Sequence, residues 1–259
     1  MIPGQDGGLP PLTRRLLGWE IVVVFAVSLG GSALLAIISL IGSVTAHKAL
    51  GHQQALLVGS LAPGRPLLDL SLQLANIVVT LAPVALVFYL LARSGESPSA
   101  IGLDATRPAS DLARGAALAA VIGGLGLGLY LAAFHLGVSL NVVPENLPAV
   151  WWRIPVLILD GLQNGILEEI LVLAYLLRRL DQLGWSPAWA IALSAVIRGS
   201  YHLYQGFGGF LGNAAMGVVF GVLFRRWGRV TPFIVAHALI DAVAFVGYAA
   251  LHGHFSWLP

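Results

Sequence analysis

The sequence predicts an all-α fold, a polytopic transmembrane helix bundle, on three observations. Hydrophobic residues make up 58% of the 259 positions and charged residues only 10%, and mean hydropathy is +0.85, outside the usual range of soluble domains. Seven apolar segments, at about 20–43, 70–92, 112–139, 154–177, 186–204, 209–224 and 231–251, approach the roughly 20 residues that cross a bilayer. The basic residues gather at the ends of these segments.

Span one follows Arg14 and Arg15 and lacks a small-residue cleavage site, so it reads as a true span and not a removed signal peptide. Pro and Gly mark the connections 62–66, 94–110 and 144–148 as loops. None is long enough for a domain, so residues 1–259 read as a single integral membrane domain with a motif-bearing core at about 154–251. The glycine-rich stretch 123–128 in span three has no Lys or Ser/Thr partner for a phosphate loop and reads as a close helix-packing surface. Trp151 and Trp152 open span four as an interfacial aromatic belt. Spans five and six are short and joined by a glycine-rich turn at 205–209, so a re-entrant pair is the alternative there.

With the N-terminus in the cytoplasm, Arg14, Arg15, Arg93, Arg107, Arg114, Arg178, Arg179, Arg225, Arg226 and Arg229 fall inside. Lys48, Arg65 and Arg153 fall outside, and Arg198 lies within a span, which accounts for all 14 basic residues. This distribution obeys the positive-inside rule and puts the C-terminus outside, most simply in a cell (plasma) membrane. A net charge of +2 from so few ionisable groups gives no case for nucleic acid as a partner. The absence of cysteine removes thiolate nucleophiles and thiolate metal sites.

Polar residues inside the later spans form seams. Glu168 and Glu169 stand side by side in span four, where each charge costs about 2.5 to 3.5 kcal/mol to insert. Asp160, Asn164 and Glu168 recur at i, i+4 and i+8, one continuous helical face, while Glu169 is turned about 100° away. Arg198 and His202 share a face of span five, with Gln205 beyond, and His237 and Asp241 share a face of span seven. Asn213 adds an amide on span six. One buried histidine or amide is ordinarily an interhelical hydrogen-bond partner. Six ionisable residues in the spans of one half of the chain are more than packing requires. His47, His52, His135, His252 and His254 lie at or beyond span ends and receive no role.

A carboxylate and a neutral imidazole converging on one water can take its proton, or can hold a metal that does the same. Glu168 and His202 are the candidate pair. His237, oriented by Asp241, is a candidate donor to the oxyanion of an attacked carbonyl. Ser200 has no glycine elbow, and no HExxH occurs, so activated water is favoured over a covalent intermediate.

Three segments in order, Glu168-Glu169 with the residues up to Arg179, Arg198-Gly-Ser-Tyr-His202, and His237-Ala-Leu-Ile-Asp241, resemble the motifs of the CPBP family. That family comprises the type II CAAX prenyl proteases and the bacteriocin-processing, or Abi, intramembrane proteases. The resemblance covers about residues 160–250; the first three spans match only in hydropathy. It implies an intramembrane protease in which Glu168 and His202 activate water, Glu169 supports them, and His237 with Asp241 stabilises the oxyanion. Two positions depart from the pattern: Leu173 stands in place of the first-motif arginine, and Arg198 in place of the second-motif phenylalanine. The expectation is that Arg198 replaces the missing arginine and neutralises Glu169 across the helix interface, with Asn164 and Asn213 as further supporting residues.

The family is commonly labelled metalloprotease, and Glu168, His202 and His237 would be the ligands of a zinc-like ion; the resemblance equally permits a metal-free mechanism. The expected substrate is a peptide or membrane-anchored protein reaching the cavity from the bilayer. The competing expectation is a non-proteolytic scaffold, or an ion- or proton-coupled transporter using the same polar cavity.

Overall fold

The computed structural model describes residues 13–251; His252 and His254 lie outside the described residues. A helix stands at each of the seven predicted places. Thr13 caps the first by accepting a hydrogen bond from the Leu16 amide. α1 (Arg14–Ala26) and α2 (Leu29–Thr45) follow each other with a 52° bend. α3 (Pro66–Thr80) and α4 (Ala82–Arg93) make the second span, broken at Leu81 just ahead of Pro83, which has no N–H for the helical ladder. α5 (Pro108–His135) is the third. α6 (Arg153–Glu168), a π-helical segment (Glu169–Tyr175) and α7 (Leu176–Gln182) run on as one rod. α8 (Pro187–Ser200), α9 (Phe207–Trp227) and α10 (Thr231–Leu251) complete the helical bundle.

Four stretches, Pro66–Arg93, Pro108–His135, Phe207–Trp227 and Thr231–Leu251, are long and apolar enough to cross a membrane, and the bent α1–α2 pair makes a fifth. By length and composition, four or five of the seven expected spans qualify. The fourth segment is interrupted by the π turn and carries Asp160, Glu168 and Glu169. The fifth, α8, has 14 residues and rises only about 21 Å, against a hydrocarbon thickness of about 30 Å. α8 and α9 pack as a hairpin in which Gly199 lies against Phe210 and Gly217 against Ala195, contacts that a Cβ would crowd.

Two connections read as plain loops contain strands. β1 (Gln54–Val58) and β2 (Asn141–Glu145) pair in parallel, from Gln54 opposite Asn141 to Val58 opposite Glu145. Period-2 alternation is too short to detect in five residues, and β2 contains Pro144. The sheet joins the α2–α3 and α5–α6 connections. At the other end Arg229, between α9 and α10, reaches the α4–α5 connection: its Nε donates to Asp111 Oδ1 at 2.8 Å and its Nη1 to Asp104 Oδ1 at 2.9 Å. The hydroxyl and amide of Thr106, together with the Arg229 guanidinium, pull the Asp104 carboxyl down to about 2. Arg179 is fully buried, its Nε donating to Glu20 Oε1 at 2.8 Å, so this member of the inner basic set is a structural ion pair.

The core centres on the π-helical rod, where Ile170 to Leu177 are almost wholly inaccessible. α10 packs along both α5 and α6. The close approach on α6 comes from Gly161 and Gly165: a Cβ on either would lie 2.9 Å from a backbone nitrogen, of Ala242 and Ala238 respectively. The glycine stretch in span three does not play the packing part expected of it. Gly124, Gly126 and Gly128 have no neighbour within 4 Å, and only Gly123 meets another helix, at Ile240. The aromatic belt is likewise corrected: Trp151 is exposed, but Trp152 is buried against Leu147, Val156, Leu157 and Phe245.

Candidate active site

The glycine contacts between α6 and α10 set the first motif against the third. Glu168 closes α6 and Glu169 opens the π segment, so the two side chains leave the rod in different directions at a point where the helical register is itself perturbed. Single π turns of this kind are frequent at functional sites. Glu168 faces a cavity of about 390 Å³, and the stripe predicted from spacing, Asp160, Asn164 and Glu168, lines it. His202, Tyr204, Gln205 and Asp241 line the same cavity, together with Gln73, Asn76 and Thr80 of the second span.

Glu169 points away from the cavity and is completely buried. Its Oε1 accepts from Arg198 Nη2 at 2.7 Å and lies 2.7 Å from His237 Nδ1. Arg198 Nη1 is 3.5 Å from Glu168 Oε2, so one guanidinium serves both carboxylates, and its Cζ stands 5.7 Å over the Phe220 ring. The expected ion pair between Arg198 and Glu169 is present. A buried acid needs a partner of this kind, since an unpaired one in low dielectric is strongly destabilising.

Glu168 Oε2 accepts a 2.7 Å hydrogen bond from the Tyr201 hydroxyl. His202 begins the turn after α8, and its Nδ1 lies 2.9 Å from the Arg198 carbonyl. A carbonyl only accepts, so Nδ1 carries the hydrogen and Nε2 keeps a lone pair. Among the described residues Glu168 and His202 share the cavity without a direct hydrogen bond. The turn is fixed from outside: the Leu140 amide donates to Gln205 O at 3.0 Å, and the Phe207 amide to Val138 O at 3.1 Å. Gly206, at φ 96°, has Ser139 Cα 3.0 Å from where a Cβ would be; only glycine suits both that conformation and that approach.

His237 is oriented differently from expectation. Its Nδ1 is held by Glu169, and Asp241 Oδ2 is 3.7 Å from Nε2, beyond hydrogen-bonding range. Asp241 instead accepts from Asn164 Nδ2 at 2.9 Å. His237 Nε2 thus lies between two cavity carboxylates, 4.0 Å from Glu168 Oε2 on the other side. Asn213 is not brought in: its amide donates to Gly209 O on its own helix at 3.0 Å.

Sequence reasoning missed Tyr201, Gln163 and the second-span amides. Gln73 and Asn76, three residues apart in an apolar helix, carried the signal. Tyr201 carried none beyond adjacency to His202.

Among the described residues no group of three or more His, Asp or Glu is arranged to hold a metal ion. The candidate set Glu168, His202 and His237 fits one poorly, because a guanidinium sits 3.5 Å from the Glu168 oxygen and would repel a divalent cation.

Residues 150–243 match the family described as Type II CAAX prenyl endopeptidase Rce1-like. All three motifs lie in that stretch, so the resemblance read from them is found again over this part of the chain. No curated protein and no solved structure matches the chain.

Proposed function

We propose that this integral membrane protein is an intramembrane endopeptidase that hydrolyses a peptide bond of a membrane-associated peptide or protein with water activated by Glu168 and His202. The observation that carries the reading is the placement of the Glu168 carboxylate and the His202 Nε2 lone pair on one cavity, with a carbonyl fixing the imidazole tautomer. The match of residues 150–243 to the prenyl endopeptidase family supports it.

Water between Glu168 and His202 attacks the carbonyl carbon while its proton passes to the Glu168 carboxylate. The oxyanion is met by the Nε2–H of a His237 imidazolium, whose Nδ1–H is held by Glu169, and the tetrahedral intermediate expels the amine, which takes the proton back. Glu169 and Arg198 are positioning residues: Glu169 holds His237, and Arg198 balances the glutamate pair. Asp241 holds Asn164 and thereby the cavity wall.

An apolar groove of about 610 Å³ flanks the cavity at the α1–α2 bend and the α3–α4 break, sharing Leu29, Ser32, Thr80 and Leu167 with it. Substrate enters there from the bilayer. The β1–β2 sheet joins two connections predicted outside, and Arg229 joins two predicted inside, so each pair shares one side; the positive-inside distribution of the arginines is what favours an N-terminus in the cytoplasm.

The test is cleavage of quenched fluorescent peptides with an apolar anchor of about 20 residues in liposomes. Purified wild type, Glu168→Ala and His202→Ala are compared, with and without chelator. Product from wild type and a loss of at least about 100-fold in both variants is expected. Equal product from all three removes the protease reading.

A further inference from the structure

Seven carboxylates are buried among the described residues: Glu20, Asp69, Asp111, Glu145, Asp160, Glu168 and Glu169. Six have strong donors. Glu20 pairs with Arg179, Asp111 with Arg229, Glu145 with Arg153, and Glu168 and Glu169 with Arg198; Asp69 accepts from the Ser60 hydroxyl, the Leu61 amide and Gln73. Asp160 is the exception. It is 7% exposed, lines the cavity, and its Oδ2 is buried without a hydrogen-bond partner among the described residues.

The groups around it are acceptors too. Gln73 spends its amide nitrogen on Gly59 O and Asp69, Gln163 spends its own on Asn164 Oδ1, and Asn164 spends its own on Asp241. Carbonyl oxygens of Gln73 and Gln163 are left over on the cavity wall. No lysine or arginine lines the cavity. With the amides of Gln73, Gln163 and Asn164 committed and the Asp160 carboxylate uncompensated, this stretch of the wall is complementary to a cation carrying several N–H groups.

We infer that the Asp160 end of the cavity is a specificity subsite for a positively charged side chain, Lys or Arg, of the substrate peptide. The inference rests on the protease reading and names its substrate class. Asp160 precedes Glu168 by eight residues, about 12 Å along α6, and an extended peptide covers that in about three to four residues. The basic residue therefore stands within about three positions of the scissile bond, once the reach of its own side chain is counted. A bare metal ion suits the place less, since no cluster of three ligands converges there among the described residues.

The experiment uses the full-length protein in liposomes and anchored fluorescent peptides that differ only in Lys or norleucine, scanned over three positions on either side of the cleaved bond. At one position the Lys peptide is expected to exceed the norleucine peptide at least about tenfold in kcat/KM, chiefly through KM. Asp160→Asn brings that ratio close to one, and Asp160→Glu restores most of it, which separates charge recognition from misfolding. Binding of the same two peptides is followed by fluorescence anisotropy, whether or not they are cut. Cleavage with no preference for Lys at any position, or a preference that survives Asp160→Asn, overturns the subsite. No cleavage with tighter Lys-peptide binding that depends on Asp160 overturns the protease reading and keeps the cation site, whereas no cleavage and equal binding of both peptides overturns both.

Discussion

Arg198 on α8 reaches across a helix interface to Glu169, Nη2 to Oε1 at 2.7 Å, with both side chains out of contact with solvent. The residue that breaks one family motif answers the residue missing from another. Arg198→Leu leaves Glu169 and Glu168 without their cation and is expected to cost about 3 to 5 kcal/mol of stability, read as a lowered thermal midpoint in detergent. Leu173→Arg in the wild-type background adds a surplus buried charge and destabilises. In the Arg198→Leu background it recovers stability, so the double-mutant cycle shows a favourable coupling; additive losses would dismiss the compensation.

Tyr201 donates to the carboxylate proposed as the base. Tyr201→Phe removes a hydrogen bond to a charged group, worth about 1.5 to 3 kcal/mol. A ten- to hundred-fold fall in kcat with KM nearly constant is expected in the liposome assay. An unchanged kcat would show that Glu168 is held by its other neighbours.

The glycines give a contrast that the sequence alone reverses. Gly165→Ala drives a Cβ to 2.9 Å from the Ala238 nitrogen and the Ile234 carbonyl and should cost about 1 to 3 kcal/mol by separating α6 from α10. Gly124→Ala meets nothing within 4 Å and should be neutral or raise the thermal midpoint slightly, because alanine is the better helix former. Equal losses in the two variants would contradict the packing described.

Acid should act at the Arg229 junction. Asp104 titrates at about 2 when folded against about 3.9 for a free aspartate. Its contribution to stability is complete above about pH 5 and is lost as pH falls through about 2. The difference in thermal midpoint between wild type and Asp104→Asn should be constant from pH 7 to 5 and shrink between pH 4 and 2. A difference that persists at pH 2 would mean that the carboxylate charge is not what counts.

Hydropathy located a helix at each of the seven places because burial in lipid or in the protein core leaves a continuous apolar run. The face of Asp160, Asn164 and Glu168 was legible because helical period is rigid over eight residues. The pairing of Arg198 with Glu169 was legible because two departures from one pattern had opposite character. Contacts decided by tertiary approach were not legible. Which glycines touch a neighbour, that Glu169 and not Asp241 holds His237, and that two loops pair as strands all depend on how distant segments meet. The shortness of α8 was masked by Tyr201 to Tyr204, aromatic and apolar enough to extend the run on paper although the backbone turns there.

That short helix bears on how a lipid-embedded site obtains its second reactant. A bilayer sealing around a rod about 9 Å too short must pinch inward or let one end sit below the headgroups. The end of α8 that meets the turn is followed within two residues by His202, whose neighbours Tyr204 and Gln205 are polar. Hydration can then follow the dimple down to the imidazole. If the proposed hydrolysis draws its water along this route, thicker membranes should slow it before they unfold the protein.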